Sequence, residues 1–210
     1  DVTSDFLSEI QNSNVKPIEP VFLDFKKDLS QLKAKSNIPV LYKQNTSNDL
    51  FQLIYVFDMG NNNDKVLGTA FDYIDYLGTS DMTPEQLKSE FYRLACTFRV
   101  VPGNERTYVL LSGLNENMPE AMKLFEKLMA DAQVNKEAYT NMVADILKSR
   151  KDAKLNQMQN FRRLMSYGMY GPKSPATNIL TEAELQNMDP QELIDRIHNQ
   201  NSYQHRILYY

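Results

Sequence analysis

The sequence contains few of the residues that metal sites and disulfide-stabilised proteins require. Its 210 residues include one cysteine, Cys96, and two histidines, His198 and His205. A single cysteine excludes an internal disulfide framework and any zinc site built from several thiolates. The two histidines lie seven positions apart with asparagines between them, so they do not form the i, i+4 pair with which a helix binds zinc. We therefore interpret them as surface or interdomain residues.

Long apolar runs and an excess of positive charge are also missing. No run approaches the roughly 20 apolar residues that span a bilayer, and the net charge is -4. An acidic chain has no general attraction for phosphate backbones or anionic lipids. We expect a soluble protein without nucleic-acid or membrane partners. The compartment stays open, with the bacterial periplasm as one candidate.

The residues that are present predict an ordinary globular protein of mixed structure. Hydrophobic residues make up 42% of the chain and charged residues 24%, which is typical of a folded domain. Apolar, β-branched and aromatic residues at 38–43 and 50–57 predict two paired strands. Similar runs at 95–101 and 107–112, joined by a Pro-Gly-Asn turn, predict a second hairpin. The sheet should therefore be mainly antiparallel.

Helical patterns separate and follow these strands. They predict helices over 64–76, from Thr83 to about residue 94, over 118–132 and from Lys136 to about residue 165, with shorter helices after Thr181 and Pro190. Residues 149–159 of the long helix are almost wholly polar, so we expect them to be exposed. Hairpins mixed with helices indicate an α+β fold with one antiparallel sheet covered by helices.

The sequence also suggests a domain organisation. Residues 1–20 are polar, carry two prolines and contain a short helical pattern at Phe6, Leu7 and Ile10, which indicates a linker from a preceding domain. Residues 21–204 form one domain in this interpretation. Residues 205–210 would begin a strand that leads to a following domain, so that both ends of the sequence are cuts.

Four features are candidates for chemistry, and each has a simpler interpretation. Asp72 and Asp75 share a helix face and suit a metal or an acid/base pair, although without a nearby histidine a solvated helix face or an arginine partner is the favoured interpretation. Cys96 lies in an apolar strand, where a free cysteine is usually a small buried hydrophobe. The histidines are the third feature. The fourth is a basic cluster that suits an acidic partner or a solvated helix; its members are Lys148, Arg150, Lys151, Lys154, Arg162 and Arg163.

Local sequences along nearly all of residues 20–210 resemble the repeated domain of the insulinase-like, or inverted-zincin, peptidases. The resemblance includes the strand 51–57 followed by Met59-Gly60, and the helix before Leu77-Gly78-Thr79. It continues through Thr83-Pro84-Glu85, through the strands 98–101 and 108–113, and through the helices that begin at Met118 and Lys136.

In active members of that family the helix before this turn carries H-x-x-E-H, whose histidines bind zinc and whose glutamate polarises water. The resemblance places the motif on residues 69–73, where Thr69 and Tyr73 replace the histidines and Asp72 replaces the glutamate. The third ligand, a glutamate in the family, falls near Asp145. The resemblance therefore implies a degenerate domain without metal or catalytic residues, the first domain of the C-terminal half.

The same resemblance implies a function for the larger protein. The domain would line a peptide-binding chamber, its partners would be other domains of the same polypeptide and peptide substrates, and a catalytic domain elsewhere in the parent would hold the zinc. A purely structural or interaction domain of the same fold is the alternative. An H-x-x-E-H motif in an upstream domain of the parent would separate the two.

Overall fold

The computed structural model describes residues 3–210, in which six strands form a single sheet. Every neighbouring pair is antiparallel except β2 and β6, which run parallel. The spatial order is β1-β2-β6-β3-β5-β4. The strands are β1 (Ser30–Lys33), β2 (Pro39–Tyr42), β3 (Leu50–Phe57), β4 (Cys96–Pro102), β5 (Thr107–Leu114) and β6 (His205–Tyr209).

Eight α-helices accompany the sheet in the described residues. They are α1 (Asp5–Asn12), α2 (Leu67–Tyr73), α3 (Pro84–Arg93), α4 (Met118–Asp131), α5 (Lys136–Ala153), α6 (Gln157–Tyr170), α7 (Glu182–Asn187) and α8 (Gln191–His198). The predicted start of α3 is confirmed, because Thr83 and Gln86 form a complete capping box.

The core lies between one face of the sheet and the helices α2, α4 and α8. Period-two alternation places Phe51, Leu53 and Phe57 of β3 on this face, and all three are buried. Leu128 of α4 and Leu193 of α8 are completely buried against it. The prediction of an α+β fold with a mainly antiparallel, helix-covered sheet is confirmed.

The predicted pairing of residues 38–43 with residues 50–57 is wrong. β6 lies between β2 and β3, pairing in parallel with the first and antiparallel with the second. Hairpin signals report only local sequence, so they could not reveal a strand that arrives about 150 residues later in the chain. β2 pairs instead with β1, a strand that the sequence did not predict.

The position of β6 also changes the predicted domain boundary. Five residues, His205–Tyr209, occupy the middle of the sheet, so the domain includes them and does not end at residue 204. The short helix predicted near the start of the chain is present as α1. Its role in a linker stays a prediction.

The predicted long helix is two helices. The first ends at Ala153 and the second begins at Gln157, because Asn156 has an extended backbone and its side chain accepts a hydrogen bond from the Gln159 amide at 3.0 Å. Asparagine competes with helical hydrogen bonds and is favoured as an N-cap. The expected exposure is confirmed, since no residue in 149–159 is buried. None of the helices in residues 3–210 is long and apolar enough to cross a membrane.

Candidate functional site

The predicted degenerate site lies on α2, which is fixed over the sheet by packing and by its N-terminal loop. Leu67, Ala70 and Phe71 are buried in the core. Asp64 accepts a hydrogen bond from the Val66 amide at 2.9 Å and forms a 2.8 Å ion pair with an arginine of α8. Core packing and these loop contacts therefore hold residues 69–73 in place.

Tyr73, at the position that the resemblance assigns to the second histidine, is fully buried. Its hydroxyl donates to the carbonyl oxygen of Asn135 at 2.6 Å and accepts from the amide of the same residue at 2.9 Å. Asn135 is the N-cap of α5. The hydroxyl thus connects the end of α2 to the start of α5, and burial raises its pKa. A protonated phenol that donates a hydrogen bond has no free charge to offer a metal.

Tyr73 meets α5 through a second tyrosine. Its ring packs edge-on against the ring of Tyr139, with centroids 5.7 Å apart and an interplanar angle of 79°. The Tyr139 hydroxyl donates to the carbonyl oxygen of Leu185 at 2.7 Å. Local sequence does not predict this contact, because Tyr73 and Tyr139 belong to different helices that lie far apart in the chain.

The other three predicted positions lie nearer the surface than Tyr73. Thr69 is half-buried, whereas Asp72 and Asp145 are exposed. The buried residues of α5 are Tyr139, Met142 and Val143, so Asp145 lies off the face that packs against the domain. Within residues 3–210, no group of three or more histidine, cysteine, aspartate or glutamate side chains is arranged to hold a metal. The residues present do not fit the zinc site of the family.

Asp72 and Asp75 form a pair with altered titration. Neighbouring protein atoms displace part of the hydration of Asp72 and, with the negative charge of Asp75, raise its pKa. Loss of hydration also raises the pKa of Asp75, and the positive charge of Lys88 opposes that shift. The pair can bind a proton more readily than ordinary carboxylates, but no histidine or third carboxylate of the described residues completes a metal site.

The environments of the cysteine and the two histidines do not indicate a reactive site. The thiol of Cys96 is buried and donates to the carbonyl oxygen of Leu94 at 3.3 Å, and burial raises its pKa. A neutral buried thiol is a poor nucleophile. His205 packs on Phe57 with ring centroids 4.9 Å apart, and His198 is exposed at the end of α8.

The basic cluster is partly structural. Arg150 donates to the carbonyl oxygen of Leu180 at 2.6 Å, and Arg163 donates to the carbonyl oxygen of Ala176 at 3.2 Å. Both arginines thus anchor the segment that follows α6. The four remaining side chains of the cluster are exposed.

The fold creates two concave surfaces that the sequence analysis did not predict. A groove of about 940 Å³ lies between the β1–β2 loop, α4 and the approach to β6. A smaller, mainly apolar cavity of about 320 Å³ lies between α3 and β4 and is lined by Leu87, Phe91, Tyr92 and Phe98 among others. β4 is an edge strand, since it pairs only with β5 in the described part of the chain. The sequence could not reveal either surface, because both depend on the order of the strands.

No family model and no curated protein matches the sequence, but solved structures match the fold. The periplasmic protease PqqL from Escherichia coli superposes with a TM-score of 0.74 over 99% of this chain and 26% of its own, at 13% identity. A peptidase M16 inactive domain from Pseudomonas fluorescens gives the same TM-score and identity over 87% of this chain and 46% of its own. The ferredoxin protease FusC, in complex with Arabidopsis ferredoxin, gives 0.71 over 95% of this chain and 23% of its own, at 11% identity.

These similarities show the fold. The chain has the architecture of peptidase M16 domains, including one described as inactive. It spans about a quarter of the PqqL chain and just under half of the inactive-domain chain.

Proposed function

We propose that this chain, which has the fold of peptidase M16 domains, is a non-catalytic domain that lines a peptide-binding chamber and supports proteolysis by another domain of the same polypeptide. Zinc belongs to that other domain. A periplasmic location is part of the proposal, because the PqqL structure is described as a periplasmic protease.

The main support for a non-catalytic role is that Tyr73 is buried and its hydroxyl is already hydrogen-bonded. A catalytic zinc needs three protein ligands and one open position for water. The side chain in the second histidine position is instead fully buried and hydrogen-bonded twice to the backbone of Asn135. It stabilises the contact between α2 and α5 rather than binding a metal.

The edge of the sheet is the surface that we propose for peptide binding. An extended peptide can add to an exposed edge strand through backbone hydrogen bonds, while neighbouring pockets receive alternate side chains. β4 offers such an edge, and the apolar cavity beside it has a lining that suits an aliphatic or aromatic side chain. Tyr92 contributes to that lining and is 88% exposed.

Nuclear magnetic resonance on the full 210-residue chain tests this proposal. The probe is a synthetic extended peptide with apolar residues at alternate positions, which is the pattern that one face of a strand requires. We expect amide shifts to concentrate in residues 96–102 and mass spectrometry to find the peptide uncleaved. Tyr92→Ser should weaken binding. Tyr76→Ser is the matched control, because Tyr76 is also exposed but does not line the cavity.

Shifts confined to other surfaces would overturn the peptide site, and cleavage that survives extensive purification would overturn the non-catalytic role. The purely structural alternative is favoured by one observation, the exposed apolar side chains of α6. It predicts no peptide binding at β4 and no H-x-x-E-H motif in any other domain of the parent.

A further inference from the structure

The helix α6 presents its apolar side to solvent. None of its 14 residues is buried, and apolar side chains spaced by three and four residues form one stripe along it. Phe161 is 56% exposed and Leu164 is 68% exposed. The α6 stripe, as we call it, consists of Met158, Phe161, Leu164, Met165 and Met169.

The same helix is attached to the domain by its polar side. Ser166 is its only residue that is not exposed, and the Ser166 hydroxyl lies 2.7 Å from the hydroxyl of the buried Ser174. Arg163 donates to the carbonyl oxygen of Ala176. An amphipathic helix normally buries its apolar face, so this orientation indicates a surface that another molecule covers.

The surroundings of the stripe are strongly basic. Residues 148–173 contain seven lysines and arginines and one aspartate, in a chain whose net charge is -4. Methionine, aromatic residues and arginine are the types enriched in protein interfaces, and methionine adapts readily to a partner's shape. A partner that fits this surface should be apolar at its centre and acidic around it.

The chain itself contains a segment of that character. The leading segment, residues 3–25, has four acidic residues and one lysine. It includes α1, whose Phe6, Leu7 and Ile10 are exposed beside Asp5 and Glu9, and α1 has no buried residue. All of its large apolar side chains are exposed, up to 95% for Ile18, so its own chain does not cover them.

We propose that the leading segment of one copy of this chain docks on the α6 stripe of a second copy. Phe6, Leu7 and Ile10 of α1 would cover the stripe, and Asp5 and Glu9 would face Arg162. Two unpartnered apolar surfaces of opposite charge would be covered at once. Each copy carries both surfaces, so a symmetric pair would use each of them once.

Sedimentation equilibrium of the full chain over a range of concentrations tests the proposal. We expect a reversible dimer that dissociates as salt is raised, because salt screens the charges at its rim. The double variant Phe161→Ser/Met165→Ser should be monomeric at every concentration. Circular dichroism should show that it still folds, since neither side chain is buried. Tyr76→Ser, at an exposed tyrosine outside both proposed surfaces, is the matched control and should still dimerise.

Charge reversal identifies the docking partner. Arg162→Glu alone and Asp5→Lys/Glu9→Lys alone should each weaken the dimer at least about tenfold, and combining them should restore it. A wild-type chain that stays monomeric overturns the proposal, as does a dimer that survives Phe161→Ser/Met165→Ser. Binding of the stripe to anionic vesicles in a monomeric chain would assign the surface to a membrane instead. None of these outcomes depends on peptide binding at β4.

Discussion

The helices α2 and α6 have opposite relationships with the core. Four of the seven residues of α2 are buried, whereas none of the 14 residues of α6 is. The shorter helix depends on tertiary packing. The longer helix has no buried residue and is instead bounded by local signals. Asn156 caps its first turn, and Gly171, at φ 59°, terminates its last turn. An apolar pattern at helical spacing therefore indicates that a helix needs a partner, but not that the partner is its own core.

Hydrogen exchange of the monomeric chain, at a protein concentration too low for the proposed dimer, should show the largest difference between the two regions. Amides of β3 open only with the core and should exchange near the rate of global unfolding, whereas amides of residues 149–170 lie in exposed helices that open locally. For an ordinary domain stability we expect the difference to exceed about 1,000-fold. Equal protection in the two regions would show that the α5–α6 segment is packed in solution. It would contradict the contrast between a buried α2 and an exposed α6.

Truncation of Tyr73 should have the largest effect on stability. Tyr73→Ala removes a fully buried ring and leaves the backbone groups of Asn135 without their partner. We expect a loss of about 3–5 kcal/mol in the free energy of unfolding, measured with urea. Tyr73→Phe keeps the ring and should lose about 1–2 kcal/mol. If both variants are as stable as the wild type, the hydroxyl does not connect α2 to α5.

Replacing the side chain of Gln200 should increase stability instead of lowering it. It is 2% exposed, and neither of its amide atoms bonds to another described residue. A buried polar group without a partner costs free energy, so Gln200→Met, which keeps a similar volume, should stabilise the chain by about 1 kcal/mol. Gln200→Ala leaves a cavity and serves as the control that should not stabilise. Destabilisation by methionine would show that the amide does have a partner.

Asp72→Asn should have a smaller effect that depends on pH. The pKa of Asp72 is raised in the fold, so its ionised form is disfavoured there and costs stability above that pKa. The asparagine variant should be more stable near pH 7 by at most about 0.5 kcal/mol, since the side chain is exposed. The difference should disappear as the pH falls below about 3.9, the ordinary aspartate pKa.

The neighbouring carboxylate provides the control for that measurement. In an Asp75→Asn background the repulsion is gone, so the effect of Asp72→Asn should shrink. If Asp72→Asn is less stable than the wild type at pH 7, the ionised Asp72 makes an attractive contact, which would contradict its raised pKa.

Local sequence predicted much of the fold. Runs of apolar, β-branched and aromatic residues predicted β3, β4 and β5, and Thr83 with Pro84 predicted the start of α3, because strand runs, turns and caps are properties of neighbouring residues. The insertion of β6 between β2 and β3 was missed because strand order depends on contacts distant in sequence. The break near Asn156 was missed because one asparagine within a polar helical pattern is a weak signal.

The candidate site was predictable only as a set of replaced residues. The resemblance identified Thr69, Asp72 and Tyr73, but not what Tyr73 does, because its partner Asn135 belongs to a different helix. The orientation of α6 was equally hidden. Its sequence is amphipathic whichever side faces the domain, and the contacts of Ser166 with Ser174 and of Arg163 with Ala176 decide between the two orientations.

We predict that this chain, which has the fold of peptidase M16 domains, does not bind a catalytic zinc, and calorimetric titration tests this prediction most directly. Zinc is titrated into the full chain at neutral pH, alongside Asp72→Glu, which restores the missing methylene, and Asp72→Ala. We predict no saturable site in any of the three, because Thr69 and Tyr73 are not competent ligands and a single carboxylate does not hold zinc against water. One tight, stoichiometric site in the wild type that is lost in Asp72→Ala would contradict the claim.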